Sequence, residues 1–98
     1  MKFFFSDHFL LQVKERRISK KLAKLVYLQA EKKYFDTLTK HRIAIVQTKH
    51  LGKTRSIMVA FDAIIEDEIW FVTVYPLSNE EIEKRVKQGR WIIENEKN

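Results

Sequence analysis

The stretch HRIAIVQTKHLGKTRSIMVAFDAIIEDEIWFVTVYP, residues 41 to 76, decides the fold. Apolar side chains recur in it with a period near two, first from His41 to Thr48, then from Arg55 to Ile65, then from Ile69 to Tyr75. That period belongs to strands. The links between them, His50-Leu51-Gly52-Lys53 and Glu66-Asp67-Glu68, are short and polar, so only antiparallel neighbours can use them and a meander is predicted. Tyr34-Phe35 supplies a further strand, and Pro76 closes the last one.

Upstream the period lengthens to that of a helix. Ser6 or Asp7 offers an N-cap ahead of Phe9, Leu10 and Val13, which predicts a helix over residues 7 to 17. Ile18-Ser19 breaks it, and Ser19 caps a second helix that aligns Leu22, Leu25, Val26 and Gln29 and ends near Glu31. Downstream, Ser78 and Glu81 stand at capping-box spacing, with Ile82, Val86 and Ile93 available for one side of a closing helix that Gly89 weakens. Glu94 to Asn98 is expected to fray. The expectation is one α+β domain over residues 1–98: two N-terminal helices packed on an antiparallel sheet of about four strands, with residues 78–98 as a C-terminal helical extension. Helices then cover one sheet face and leave the other for a ligand. Alternation in the last strand assigns Trp70, Val72 and Val74 to the helices and Thr73 and Tyr75 to the free face. Trp70 and Trp91 read as packing residues.

Composition narrows the function. The chain has 98 residues, no cysteine, two glycines, one proline and a net charge of +6. A disulfide scaffold, a thiol nucleophile and a sulfur-ligated zinc site are excluded, and a reducing, cytoplasmic setting is expected. No apolar run approaches the length of a membrane helix, and Met1 to Phe5 is too short for a signal peptide, so no membrane partner is expected. The charge is lopsided: residues 1–55 carry +10 and residues 56–98 carry −4. A basic half suits a phosphate-rich partner, because each cation placed near a phosphate releases condensed counterions. A run such as Lys20, Lys21 and Lys24 also serves simply as the solvated face of a helix.

Ser6-Asp7-His8-Phe9 with Lys14-Glu15-Arg16 and Ile18-Ser19, then His41-Arg42-Ile43-Ala44-Ile45, then Val72-Thr73-Val74-Tyr75-Pro76, together resemble a family. It is that of small toxin-like domains grouped with the RelE/ParE and BrnT toxins of toxin–antitoxin systems, and the likeness covers residues 3 to 76. The resemblance implies a sheet with N-terminal helices, RNA-cleaving or ribosome-directed activity of the mRNA-interferase type, and an antitoxin partner. Some relatives of that family poison gyrase and cleave no RNA, and fold alone does not choose between these.

Metal-free RNA cleavage needs a base for the ribose 2′-OH, a donor for the leaving 5′ oxygen and cations for the charge on phosphate. The candidate catalytic residues are His8, Arg16, Thr73 and Tyr75, and the candidate RNA-binding residues are His41, Arg42, Lys49, Lys53 and Arg55. His8 and Arg16 are eight residues apart and project from nearly the same side of one helix. His41 and Arg42 are neighbours on a strand and point to opposite faces. Each has a plainer role: His8 in a capping segment, Arg16 in a surface ion pair, Tyr75 at the rim of the core, and the 49–55 loop as a charged hairpin. No glycine-rich phosphate loop, H-E-x-x-H helix or G-x-S-x-G elbow is present, and no metal or cofactor is inferred. Three readings stay open: a metal-independent endoribonuclease, a non-catalytic nucleic-acid or ribosome-binding module, and a gyrase-directed or other protein-interaction domain.

Overall fold

A computed structural model describes residues 1–94 and shows an α+β architecture in the order β1 (Lys2–Phe5), α1 (Asp7–Arg16), α2 (Lys20–Gln29), β2 (Lys33–Asp36), β3 (Arg42–His50), β4 (Lys53–Asp62), β5 (Glu68–Leu77), α3 (Asn79–Lys87) and β6 (Trp91–Ile93). Ser6, Ser19 and Ser78 each cap a helix by accepting from the backbone N–H three residues on, as their positions in the sequence require. Among the described residues no helix is long and apolar enough to cross a membrane.

Among the described residues the sheet has six strands, not about four, in the order β1-β5-β4-β3-β2-β6, and it is mixed. β3, β4 and β5 form the expected antiparallel meander. The additions lie at the edges. Phe3, Phe4 and Phe5 pair in parallel with Ile69, Trp70 and Phe71. Trp91–Ile93 pairs antiparallel with Tyr34–Asp36. The predicted C-terminal helix is therefore cut short: Gly89 at φ +79 turns the chain out of α3, and the residues beyond it bury a tryptophan instead of continuing the helix. Residues 95–98 of the expected extension lie outside the described residues.

Two apolar layers sandwich the sheet. On the first face Phe9, Ile18, Ala23 and Val26 of the helical layer pack on Ala44, Ile57, Val59, Phe61, Ile69, Phe71 and Val74. On the second, Ile43, Met58, Ala60, Leu77 and Trp91 are buried with Tyr34, Ile45, Tyr75 and Ile82 around them. The second face is thus not free, because α3 brings Ile82 onto it. The strand-face assignment also changes. A bulge opposite Ala60 and Phe61 makes Val72 an extra residue, so Ile69 and Phe71 meet the helices before it and Val74 does after it. Trp70 consequently turns outward and stacks on Phe4 at 4.4 Å instead of joining the core. In α2 it is Ala23 and Val26 that are buried, whereas Leu25 is partly exposed.

Asp36 latches the last strand. Its buried carboxylate accepts from Arg90 Nε and Nη2, from Trp91 Nε1, and from the backbone N–H groups of Leu38 and Thr39. Burial pushes its pKa up, but the hydrogen bonds from Arg90, Leu38, Thr39 and Trp91 outweigh burial and lower it from 3.8 to about 2. Thr37 completes the latch, its N–H and hydroxyl both donating to the Arg90 carbonyl.

The β3–β4 connection is a two-residue turn with both central residues at positive φ, Leu51 at 52 and Gly52 at 80. This turn matches the twist of its strands and favours Asn-Gly. Leu51 is exposed and gains nothing from its side chain there. Leu51→Asn is expected to raise stability by about 0.5–1 kcal/mol, read as a higher thermal midpoint, by relieving the left-handed strain of a branched residue.

Candidate nucleic-acid interface

The strands carry the charge asymmetry into space. β3 ends and β4 begins at one end of the sheet, where Lys49, Lys53 and Arg55 stand, while Asp62, Glu66, Asp67 and Glu68 lie at the other. The basic hairpin is tied to the end of α1. His50 is buried, and its Nε2 lies 3.2 Å from the carbonyl of Arg16 and 3.3 Å from that of Arg17. Carbonyls only accept, so Nε2 carries the proton and caps carbonyls that the helix end leaves open. Arg17 in the left-handed conformation ends α1 at that point, and its N–H bonds the Val13 carbonyl. Arg16, Arg17, Lys49 and Lys53 are thereby gathered at one end, all exposed.

α1 runs alongside the outer edge of β5 that β1 leaves uncovered. Ser6 N–H and Oγ donate to the carbonyls of Phe71 and Val72 at 3.0 Å each. Farther along, the Gln12 side-chain oxygen accepts from the Val74 N–H at 2.9 Å and from the Thr73 hydroxyl. Gln12 thus satisfies an edge that would otherwise be open, and it fixes the height of α1 on β5. One helical turn later Arg16 lies over the ring of Tyr75, 5.4 Å from its centroid. From the other side Arg85 Nη1 donates to the Tyr75 hydroxyl at 3.0 Å. Arg85 also lies 5.1 Å from the Trp91 ring centroid, so the latch at Asp36 holds Trp91, and Trp91 braces Arg85.

Three of the four catalytic candidates meet here: Arg16 and Tyr75 touch, and Thr73 is bound to Gln12 beside them. His8 does not. It is exposed, has no hydrogen-bond partner among the described residues, and sits two turns before Arg16, ~12 Å away along the helix axis. One phosphate cannot bridge that gap. The RNA-binding candidates also divide. His41 pairs with Asp62 at 2.7 Å and Arg42 with Glu94 at 3.4 Å, at the acidic end of the sheet. Six to eight residues along β3, ~20–26 Å by strand rise, separate Arg42 from Arg55, Lys49 and Lys53. Among the described residues no three His, Asp or Glu side chains gather as a metal-ligand set.

Arg85 and Gln12 join the site without having been singled out. Both leave a trace in the sequence. Gln12 interrupts the apolar face of α1 between Phe9 and Val13, and Arg85 lies three residues after Ile82, on the side of α3 that faces the sheet. Compared with protein-family models, curated proteins and solved structures, the chain has no significant match in any of the three.

Proposed function

We propose that the chain is a RelE/BrnT-like toxin domain that binds RNA along its basic end and cleaves it without metal, neutralised by an antitoxin. The observation that carries this reading is the convergence of Arg16, Tyr75 and Arg85 from three elements onto one spot beside the basic hairpin. Two guanidinium groups flanking a phenol suit a phosphodiester whose charge grows as the ribose 2′-OH, passing its proton to a solvent water, attacks phosphorus and the bond to the 5′ oxygen breaks. The Tyr75 oxygen already accepts from Arg85, which leaves its own proton to donate to the departing 5′ oxygen. Arg16 lies over the ring and meets the non-bridging oxygens. Thr73, held by Gln12, is a positioning residue that sets the strand carrying Tyr75.

A second reading has its own support. His8, the candidate base, stands apart from the cluster, and this favours a module that grips RNA or a ribosome without cutting it. The two readings share the binding surface and differ in chemistry.

Binding is tested by fluorescence anisotropy with a labelled single-stranded RNA across a salt series. Lys49→Ala and Lys53→Ala are each expected to weaken binding and to flatten the slope of log K against log salt by about 0.7, the value for one phosphate contact on a single strand. His41→Ala and Arg42→Ala are expected to leave it unchanged. Equal losses at both ends of β3 would mean that RNA does not follow the basic end.

A further inference from the structure

β4 outlasts its neighbour. Ser56 pairs with Leu77 at the end of β5, so Lys53–Arg55 have β3 on one side and nothing from β5 on the other. A cavity of about 390 Å³ opens at this corner, and the chain passes it again as it turns through Ser78 and Asn79 into α3. From this cavity we infer a phosphate-binding subsite for a phosphate ester, held by Arg55 and Asn79. It shares no residue with the Arg16–Tyr75–Arg85 cluster.

Three observations carry it. First, the Arg55 side chain lines the cavity half-buried, yet it has no hydrogen-bond or ion-pair partner among the described residues. A half-buried guanidinium left unpaired is costly, and an oxyanion beside it would be its first acceptor. Second, the Ser56 hydroxyl donates to the Asn79 side-chain oxygen at 3.2 Å. That bond turns the amide so that its NH₂ group is the part left to act, and an NH₂ group only donates. Third, the remaining polar lining is Gln47, Thr54 and Ser78, with no carboxylate among the lining residues; the Ser78 hydroxyl is engaged with Glu81 of α3, so the neutral groups left are Gln47 and Thr54. A cavity with one cation, neutral donors and no acid selects an anion. Its volume leaves room for the sugar attached to a phosphate. The inference deepens the RNA reading by one backbone contact, and it rests on that reading for the polymer but not for the phosphate.

The test is a ¹H–¹⁵N NMR titration of the full chain, first with inorganic phosphate and then with a short single-stranded RNA. Wild type is compared with Arg55→Gln, Asn79→Asp and Tyr75→Phe. Asn79→Asp keeps an acceptor for Ser56 and suits the first turn of a helix, so it preserves the fold while placing a negative charge in the cavity. Phosphate is expected to shift the amides of Thr54, Ser56 and Asn79 with saturation. Arg55→Gln and Asn79→Asp should each weaken that response by about tenfold or more, as for the loss of a hydrogen bond to a charged group. Tyr75→Phe should leave it unchanged. If RNA moves the same amides, the phosphate is one of its backbone; if phosphate moves them and RNA does not, the ligand is a free phosphomonoester, and the subsite stands although the RNA reading fails. Unmoved amides in phosphate, or an Asn79→Asp protein that titrates like wild type, would overturn the subsite.

Discussion

Asp36→Ala is expected to cost about 3–5 kcal/mol of folding stability, the range for removing one partner of a buried ion pair. For a domain of this size that is a large share of the total and a fall in thermal midpoint of well over ten degrees. The reason is the number of groups it would strand: the Arg90 guanidinium, the indole N–H of buried Trp91, and two backbone N–H groups in the turn after β2. Asp36 also makes stability depend on acid. Its carboxyl titrates at about 2 in the folded chain against an ordinary 3.8, so as pH falls the unfolded chain takes up a proton first. The contribution is complete above about pH 5, declines as pH drops through 4 toward 2, and amounts to roughly 2 kcal/mol. Denaturant melts at pH 7 and pH 3 should show the decline in wild type and a smaller one in Asp36→Asn. An equal decline in both would remove Asp36 as its source.

Tyr75→Phe is expected to lower RNA cleavage by a factor of about 10² to 10⁴, the contribution of a positioned general acid, while leaving RNA affinity within a few fold. The substitution keeps the ring on which Arg16 rests and removes only the hydroxyl that Arg85 contacts. Arg16→Ala and Arg85→Ala should each cost about 10² to 10³ in rate, as for the loss of one donor to a developing oxyanion. Their double variant should fall short of the product of the two, because both act on one phosphate. Thermal melts separate the chemistry from the fold. Arg16 is exposed and its removal should scarcely move the midpoint, whereas Arg85 packs on Trp91 and its removal should lower it slightly. A Tyr75→Phe protein that cuts RNA at the wild-type rate would withdraw the hydroxyl from the mechanism.

The centre of this fold is legible because strand composition and short connections agree there. β3, β4 and β5 are dense in β-branched and aromatic residues, the link at Leu51-Gly52 is short enough only for antiparallel neighbours, and three serines mark three helix starts. What sequence does not show is non-local or very short. Phe3 to Phe5 is β-prone by residue type, but its place in the sheet depends on β5 offering an edge 66 residues on, and three residues at Trp91–Ile93 carry no period by which to tell a strand from a helix end. The bulge at Val72 costs most, because one extra residue breaks the alternation: Val74 and Tyr75 beyond it keep the faces expected of them, whereas before it Ile69 and Phe71 turn in and Trp70 turns outward. Of the residues that come together around Tyr75, Arg16 and Thr73 are among the candidates that residue chemistry and the resemblance select. Arg85 and Asp36 are not, since one depends on where α3 lands and the other on a strand that has no sequence signal.

The most direct test of RNA cleavage without metal is incubation of an end-labelled single-stranded RNA with the full chain in excess chelator, wild type beside Tyr75→Phe. Wild type is expected to release fragments ending in a 2′,3′-cyclic phosphate, the product of attack by the neighbouring hydroxyl, and Tyr75→Phe to bind the same RNA and leave it whole. Intact RNA with the wild-type protein, bound or unbound, would contradict it.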